Sequence, residues 1–142
     1  MAKGIERIAV LRGDVDNLGA AFVNGFRRDK EGGRYETLSR TATFSRQLSL
    51  FFKCYINDIL EHGTSHILSE PTARNVSIVY SGGDDIFLVG AWNEVIDAFI
   101  DIRNALEKFT QKTLSISGGI GLYQEIIRSI VWQMNSRVRR LF

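Results

Sequence analysis

The sequence predicts an α+β domain with one antiparallel four-stranded sheet and helices on one of its faces. Three observations predict it. Short apolar runs alternate with two long stretches of helical periodicity. The order of these stretches is β-α-β-β-α-β, with a glycine-rich turn joining the two middle strands. The chain has 142 residues, the usual size of one domain with one core.

Residues 5–15 read as the first strand, because Ile8, Ala9, Val10 and Leu11 form the near-continuous apolar run of a central strand. The run ends in Gly13-Asp14-Val15-Asp16-Asn17. A short helix over residues 18–26 follows, with Leu18, Phe22 and Phe26 four apart and Asn17 as its N-cap. Residues 24–36 are polar, contain Gly32-Gly33 and read as a loop. A long helix is expected over residues 37–61, where Leu38, Ala42, Ser45, Leu48, Phe52, Tyr55, Ile56 and Ile59 keep a helical period and Gly63 marks the stop. Residues 62–75 read as a loop, in which His62 and His66 lack further metal ligands.

Residues 76–81 and 86–91 are two strands joined by Gly82-Gly83-Asp84-Asp85, a hairpin. Residues 93–110 form a helix with Val95, Ile96, Phe99, Ile102, Leu106 and Phe109 as its apolar stripe, and residues 114–123 form the last strand. Residues 5–123 thus make the domain, of the ferredoxin-like βαββαβ kind. Residues 124–142 are an extension read as a terminal helix or an altered tail, able to drive self-association into a homodimer through Trp132.

Composition excludes several function classes. Hydrophobic residues at 44% and charged residues at 24% are a soluble globular balance, with no apolar run of membrane-spanning length and no signal-peptide core. A net charge of +2 is too small to argue for nucleic-acid binding. The local clusters Arg27, Arg28, Lys30, Arg34 and Arg137, Arg139, Arg140 read as solvated surface, with a phosphate- or RNA-facing surface as the alternative. The single cysteine, Cys54, rules out an internal disulfide, fits a reducing cytoplasm and is expected to be a buried structural thiol. No Walker A pattern, G-x-S-x-G elbow or Cys/His zinc spacing is present.

The chemistry lies in the acidic residues. In the expected order the first strand is central, and the second runs parallel to it with the third between them. The end of the first strand and the hairpin therefore share one sheet edge, bringing Asp14 and Asp16 beside Asp84 and Asp85 from about 70 residues away. Carboxylates gathered in this way repel unless a cation compensates. Mg²⁺ or Mn²⁺ suits such hard oxygen ligands, and two ions would give the general clamp for phosphoryl transfer. Gly82 and Gly83 can take φ > 0 and leave room for substrate. The backbone N–H groups of Asp16, Asn17, Leu18 and Gly19 are placed to hold a triphosphate. Each motif alone is an ordinary turn or cap; their joint placement carries the expectation.

Leu11-Arg12-Gly13-Asp14-Val15-Asp16-Asn17-Leu18-Gly19 and Tyr80-Ser81-Gly82-Gly83-Asp84-Asp85-Ile86-Phe87 resemble the second palm domain of the large polymerase-like subunit of type III-A CRISPR effector complexes. Thr37-Leu38-Ser39-Arg40 and Ser115-Ile116-Ser117-Gly118-Gly119-Ile120-Gly121 support the match. The resemblance implies synthesis of cyclic oligoadenylates from ATP, triggered when the guide RNA–protein complex binds target RNA. It implies Asp14, Asp84 and Asp85 as catalytic, metal-binding carboxylates and Ser81, Gly82 and Gly83 as the lining of the nucleotide site. It also implies a second palm as partner, without which this chain would bind ATP and metal but turn nothing over. Diguanylate cyclases, which use GTP, are distantly similar, but their hairpin reads Gly-Gly-Asp/Glu-Glu-Phe, and here Ile86 intervenes before Phe87.

Overall fold

The structure is a computed structural model and describes residues 7–24, 37–68 and 74–123. Its elements are β1 (Ile8–Val15), α1 (Leu18–Asn24), α2 (Leu38–Leu50), a π-turn (Phe51–Tyr55), α3 (Ile56–His62), β2 (Val76–Ser81), β3 (Asp85–Ala91), α4 (Trp92–Phe109) and β4 (Ile116–Tyr123). The sheet order is β2-β3-β1-β4, antiparallel at every pairing, which is the expected topology. Residues 25–36 of the loop expected over 24–36, and the tail from residue 124, lie outside the described residues, while Asn24 ends α1.

Alternation sorts the central strands into two faces. Ala9, Leu11, Gly13 and Val15 of β1 point to the helices and are buried, as are Ile86 and Leu88 of β3. They meet Leu48, Phe51, Phe52 and Ile56 from the long helix and Val95, Ala98, Ile102 and Leu106 from α4 in one core. Burying each of the Val, Leu, Ile and Phe side chains contributes about 1.5–3 kcal/mol.

The long helix is one continuous rod with a defect. Leu48, Phe52, Ile56 and Leu60 face inward at a spacing of four, with Phe51 buried beside Phe52. In a regular α-helix residues four apart drift by about 40° per step. The π-turn inserts an extra residue into one turn and takes up part of that drift. The stripe therefore differs from the predicted one: Leu60 is buried, whereas Tyr55 is 55% exposed. Cys54 is exposed as well, correcting the expectation of a buried thiol, because residues 53–55 form the outward side of the π-turn.

A second departure is the acidic face of α4. Glu94, Asp97 and Asp101 are buried beside the apolar stripe. Each accepts a backbone N–H from the segment between α3 and β2: Asn75 bonds Glu94, Leu68 bonds Asp97 and Ser65 bonds Asp101. Arg74 joins Asp101 and also donates to the Ser65 carbonyl at 2.8 Å. These bonds give the Ser65, Leu68 and Asn75 amides buried partners.

Candidate functional site

The site is assembled by strand register. Asp14 stands directly opposite Asp85 across the β1–β3 ladder and opposite Ser117 on β4. The Val15 N–H donates to the Asp84 carbonyl at 2.9 Å, so the two acidic segments are joined through backbone as well. Because Gly13 and Val15 face the helices, Asp14 faces the other side of the sheet, and its cross-strand partner Asp85 faces the same way. Asp14 and Asp84 are exposed and Asp85 is half-buried. Residues 70 positions apart in sequence therefore meet at one rim, as the topology predicted.

Like charges directly opposite on a sheet destabilise it. Among the described residues the compensation is slight. Arg12, two residues before Asp14 on the same face, places its Nη2 3.8 Å from Asp85 Oδ2, and its side chain is 76% exposed. No side-chain hydrogen bond or ion pair joins Asp14 or Asp84 to another described residue.

Asp16 is held apart from this group. Its Oδ2 accepts the Ser115 hydroxyl at 2.7 Å and the Ser117 hydroxyl at 2.9 Å, and these two bonds, Ser115 first, keep its carboxyl below the usual aspartate range. Its backbone N–H donates to the Ser115 carbonyl at 2.9 Å. Asp16 thus fastens the end of β1 to β4, and its amide is not free for a phosphate. Asn17 adopts a left-handed conformation (φ 54°), which asparagine tolerates, and its carbonyl accepts the Ala21 N–H that opens α1. Leu18 packs against the core, while Gly19 has open space where a side chain would stand.

The hairpin differs from expectation in one respect. Neither Gly82 nor Gly83 has a left-handed φ. The Tyr80 ring lies over Gly82, so that a Cβ there would sit 2.1 Å from the Tyr80 hydroxyl. Gly82 N–H closes the turn on the Asp85 carbonyl at 3.0 Å. Ser81 points to the helix side and donates its hydroxyl to the Phe52 carbonyl in the π-turn, a contact with no signal in the sequence.

Among the described residues, no three His, Cys, Asp or Glu side chains converge to hold a metal through protein ligands alone. That donor set still fits Mg²⁺ or Mn²⁺ when substrate is present, because Mg²⁺ is ordinarily held by one or two carboxylates with the remaining positions taken by water and phosphate oxygens. The open Asp14–Asp85 pair supplies two such carboxylates. A groove of about 240 Å³ lies on the helix side among Ala21, Phe44, Gln47 and Phe109, and none of the three aspartates lines it.

An antiparallel βαββαβ sheet with carboxylates from β1 and the β2–β3 hairpin on one rim defines a palm-type domain. The chain belongs to the family described as Cas10/Cmr2, second palm domain, whose model matches residues 7–136. It is 47% identical over 127 residues to the CRISPR system single-strand-specific deoxyribonuclease Cas10/Csm1 (subtype III-A) of Mycobacterium tuberculosis, covering 87% of this chain and 16% of that protein. The counterpart from Streptococcus thermophilus is 46% identical over 122 residues, covering 86% of this chain and 14% of that protein. This chain therefore spans about a sixth of the length of these relatives. Among solved structures it resembles the Csm1-Csm4 cassette in complex with AMPPNP (TM-score 0.68, 33% identity, 84% of this chain and 17% of that one). It also resembles the cassette in complex with cA4 (TM-score 0.70, 31% identity, 87% of this chain and 18% of that one). No described helix is long and apolar enough to cross a membrane.

Proposed function

We propose that this chain is the catalytic palm of a metal-dependent nucleotidyltransferase that joins ATP into cyclic oligoadenylates within a type III-A CRISPR effector complex. The observation that carries the proposal is the directly opposed pair Asp14–Asp85, with Asp84 bonded through its carbonyl to the next residue of β1. Such a like-charged pair is costly for the fold, and a cation relieves that cost. Similarity to cassettes bound to AMPPNP, to one ATP, to pppApA and to cA4 supports ATP as substrate and adenylate chains as products.

In this reading the 3′-hydroxyl oxygen of one ATP attacks the α-phosphorus of another. The bond to the bridging oxygen of the β-phosphate breaks, pyrophosphate leaves and the hydroxyl proton passes to solvent. Bound Mg²⁺ or Mn²⁺ supplies Lewis-acid charge to the phosphate oxygens and the attacking hydroxyl. Asp14, Asp84 and Asp85 hold that charge. Asn17, Leu18 and Gly19 offer their amides, and the side-chain-free turn at Gly82-Gly83 lies beside the nucleotide. The second palm, the guide RNA–protein complex and target RNA are partners supplied by the longer protein and its assembly. Without that second palm, this chain binds metal–ATP but turns little over.

The test uses Mn²⁺ with ATP or GTP, affinity by calorimetry and products by mass spectrometry. Asp14→Ala and Asp84→Ala should each weaken Mn²⁺–ATP binding roughly tenfold or more, about 1.4 kcal/mol, with the circular dichroism of the fold unchanged. Unchanged ATP affinity in both variants would refute the shared site. Cyclic di-GMP from GTP would replace ATP with GTP as the substrate.

A further inference from the structure

The long helix carries its defect where it passes the hairpin. In a regular α-helix the Ile56 N–H would bond the Phe52 carbonyl; here it bonds Phe51. The Phe52 carbonyl accepts the Ser81 hydroxyl instead. Phe52 is 1% exposed, so its carbonyl has little recourse to water, and a buried carbonyl without a partner is costly. Ser81 is the last residue of β2 and pairs with Ile86 on the buried side of the sheet. Its next neighbour, Gly82, closes the turn on Asp85, and Asp85 stands opposite Asp14. Gly83 also lies beside the helix, with Ser49 Oγ 3.7 Å from where a Cβ would be.

From this we infer that Ser81 is a positioning residue. Its hydroxyl ties the Gly82-Gly83-Asp84-Asp85 hairpin to the π-turn and so sets where Asp84 and Asp85 stand relative to Asp14. The inference rests on the nucleotide-site reading above and gives Ser81 a different task within it from lining the nucleotide. A hydroxyl has one proton to donate, and Ser81 spends it on Phe52, so it has none for a phosphate. Without that proton the Phe52 carbonyl regains a partner only if the helix rewinds to an α-turn or the hairpin parts to admit water. Either change displaces the two aspartates.

The experiment compares wild type with Ser81→Ala and Ser81→Thr in two measurements on the chain. The first is amide hydrogen exchange at Gly82 and Val15, whose N–H groups bond Asp85 and Asp84. The second is Mn²⁺ affinity, measured alone and with AMPPNP. Ser81→Ala should speed exchange at both amides about tenfold, leave Ile102 and Leu88 unchanged, and weaken Mn²⁺ binding about three- to tenfold with or without the nucleotide. Ser81→Thr, which keeps the hydroxyl, should restore both. Should Ser81→Ala not fold, Ser81→Cys, with its weaker donor, should give an intermediate effect. Unchanged exchange overturns the inference. So does a loss confined to AMPPNP affinity with Mn²⁺ alone unaffected, because that outcome makes Ser81 a direct nucleotide contact. A wild-type chain that binds neither Mn²⁺ nor AMPPNP defeats the proposed function instead, and the exchange measurement still decides the tie.

Discussion

At Gly90 the first residues of β2 come so close that a methyl group has no room. A Cβ would sit 2.2 Å from the Asn75 carbonyl oxygen and 2.9 Å from the Val76 Cα, and both are backbone atoms that cannot swing aside. Gly90→Ala should therefore destabilise the domain by about 1–3 kcal/mol, the usual range for overpacking, as a shift in denaturant midpoint. A midpoint equal to wild type would show that the β2–β3 pairing has slack. Gly82 is a weaker constraint, because its neighbour is the free end of the Tyr80 side chain. Little of this is legible in sequence. A glycine in a strand signals close approach but does not say of what, and the left-handed φ expected at Gly82 and Gly83 is absent. The residue that does take positive φ at the site is Asn17, which the sequence offered as a helix cap and a phosphate-facing amide, not as a left-handed residue. Asp16 looked like the equal of Asp14, yet two serines some hundred residues downstream claim its carboxylate.

At the scale of elements, α4 buries two faces. Its apolar stripe was readable from a period of 3.6, and Val95, Ile102 and Leu106 are buried as expected. The acidic face at Glu94, Asp97 and Asp101 has helical spacing too, but acidic residues on a helix ordinarily face water. Only the positions of Ser65, Leu68, Arg74 and Asn75 make them internal. The Asp101–Arg74 pair is the most enclosed, with side chains 8% and 2% exposed. Burial pushes the Asp101 carboxyl up, but the Ser65 hydroxyl, the Arg74 guanidinium and the Ser65 amide outweigh it and hold it below the ordinary value. Its contribution to stability is therefore present above the unfolded-state value of about 3.8 and is lost as pH falls through the folded-state value. Asp101→Ala leaves a buried guanidinium unpaired and should cost about 3–5 kcal/mol near neutral pH. The gap to wild type should narrow below about pH 3.8, as followed by urea unfolding across pH. A gap independent of pH would assign the loss to packing. The π-turn was equally hidden, because a helical stripe read at constant period has no place for an extra residue.

At the scale of the molecule, one sheet joins the two ends of the site, and the fold bears the cost of opposing Asp14 to Asp85. Active sites often retain such strain at the expense of stability. Asp14→Asn should raise the melting temperature in chelator-treated buffer by roughly 1–2 °C, the effect of a few tenths of a kcal/mol in a domain of this size. Adding Mn²⁺ with AMPPNP should then stabilise wild type and leave the variant nearly unmoved. A variant less stable than wild type without metal would mean that Asp14 supports the fold rather than the ligand.

The sequence by itself determined the order of elements, the antiparallel topology and the gathering of Asp14, Asp84 and Asp85. Those follow from local periodicity and from the few ways a βαββαβ chain can close, so short-range information suffices. Only the tertiary structure decided which polar groups are already engaged: Asp16 with β4, Ser81 with the π-turn, and three acidic residues of α4 with a loop. A hydrogen bond between distant segments depends on ångström-scale placement of two backbones, and residue type and spacing along the chain do not carry that information.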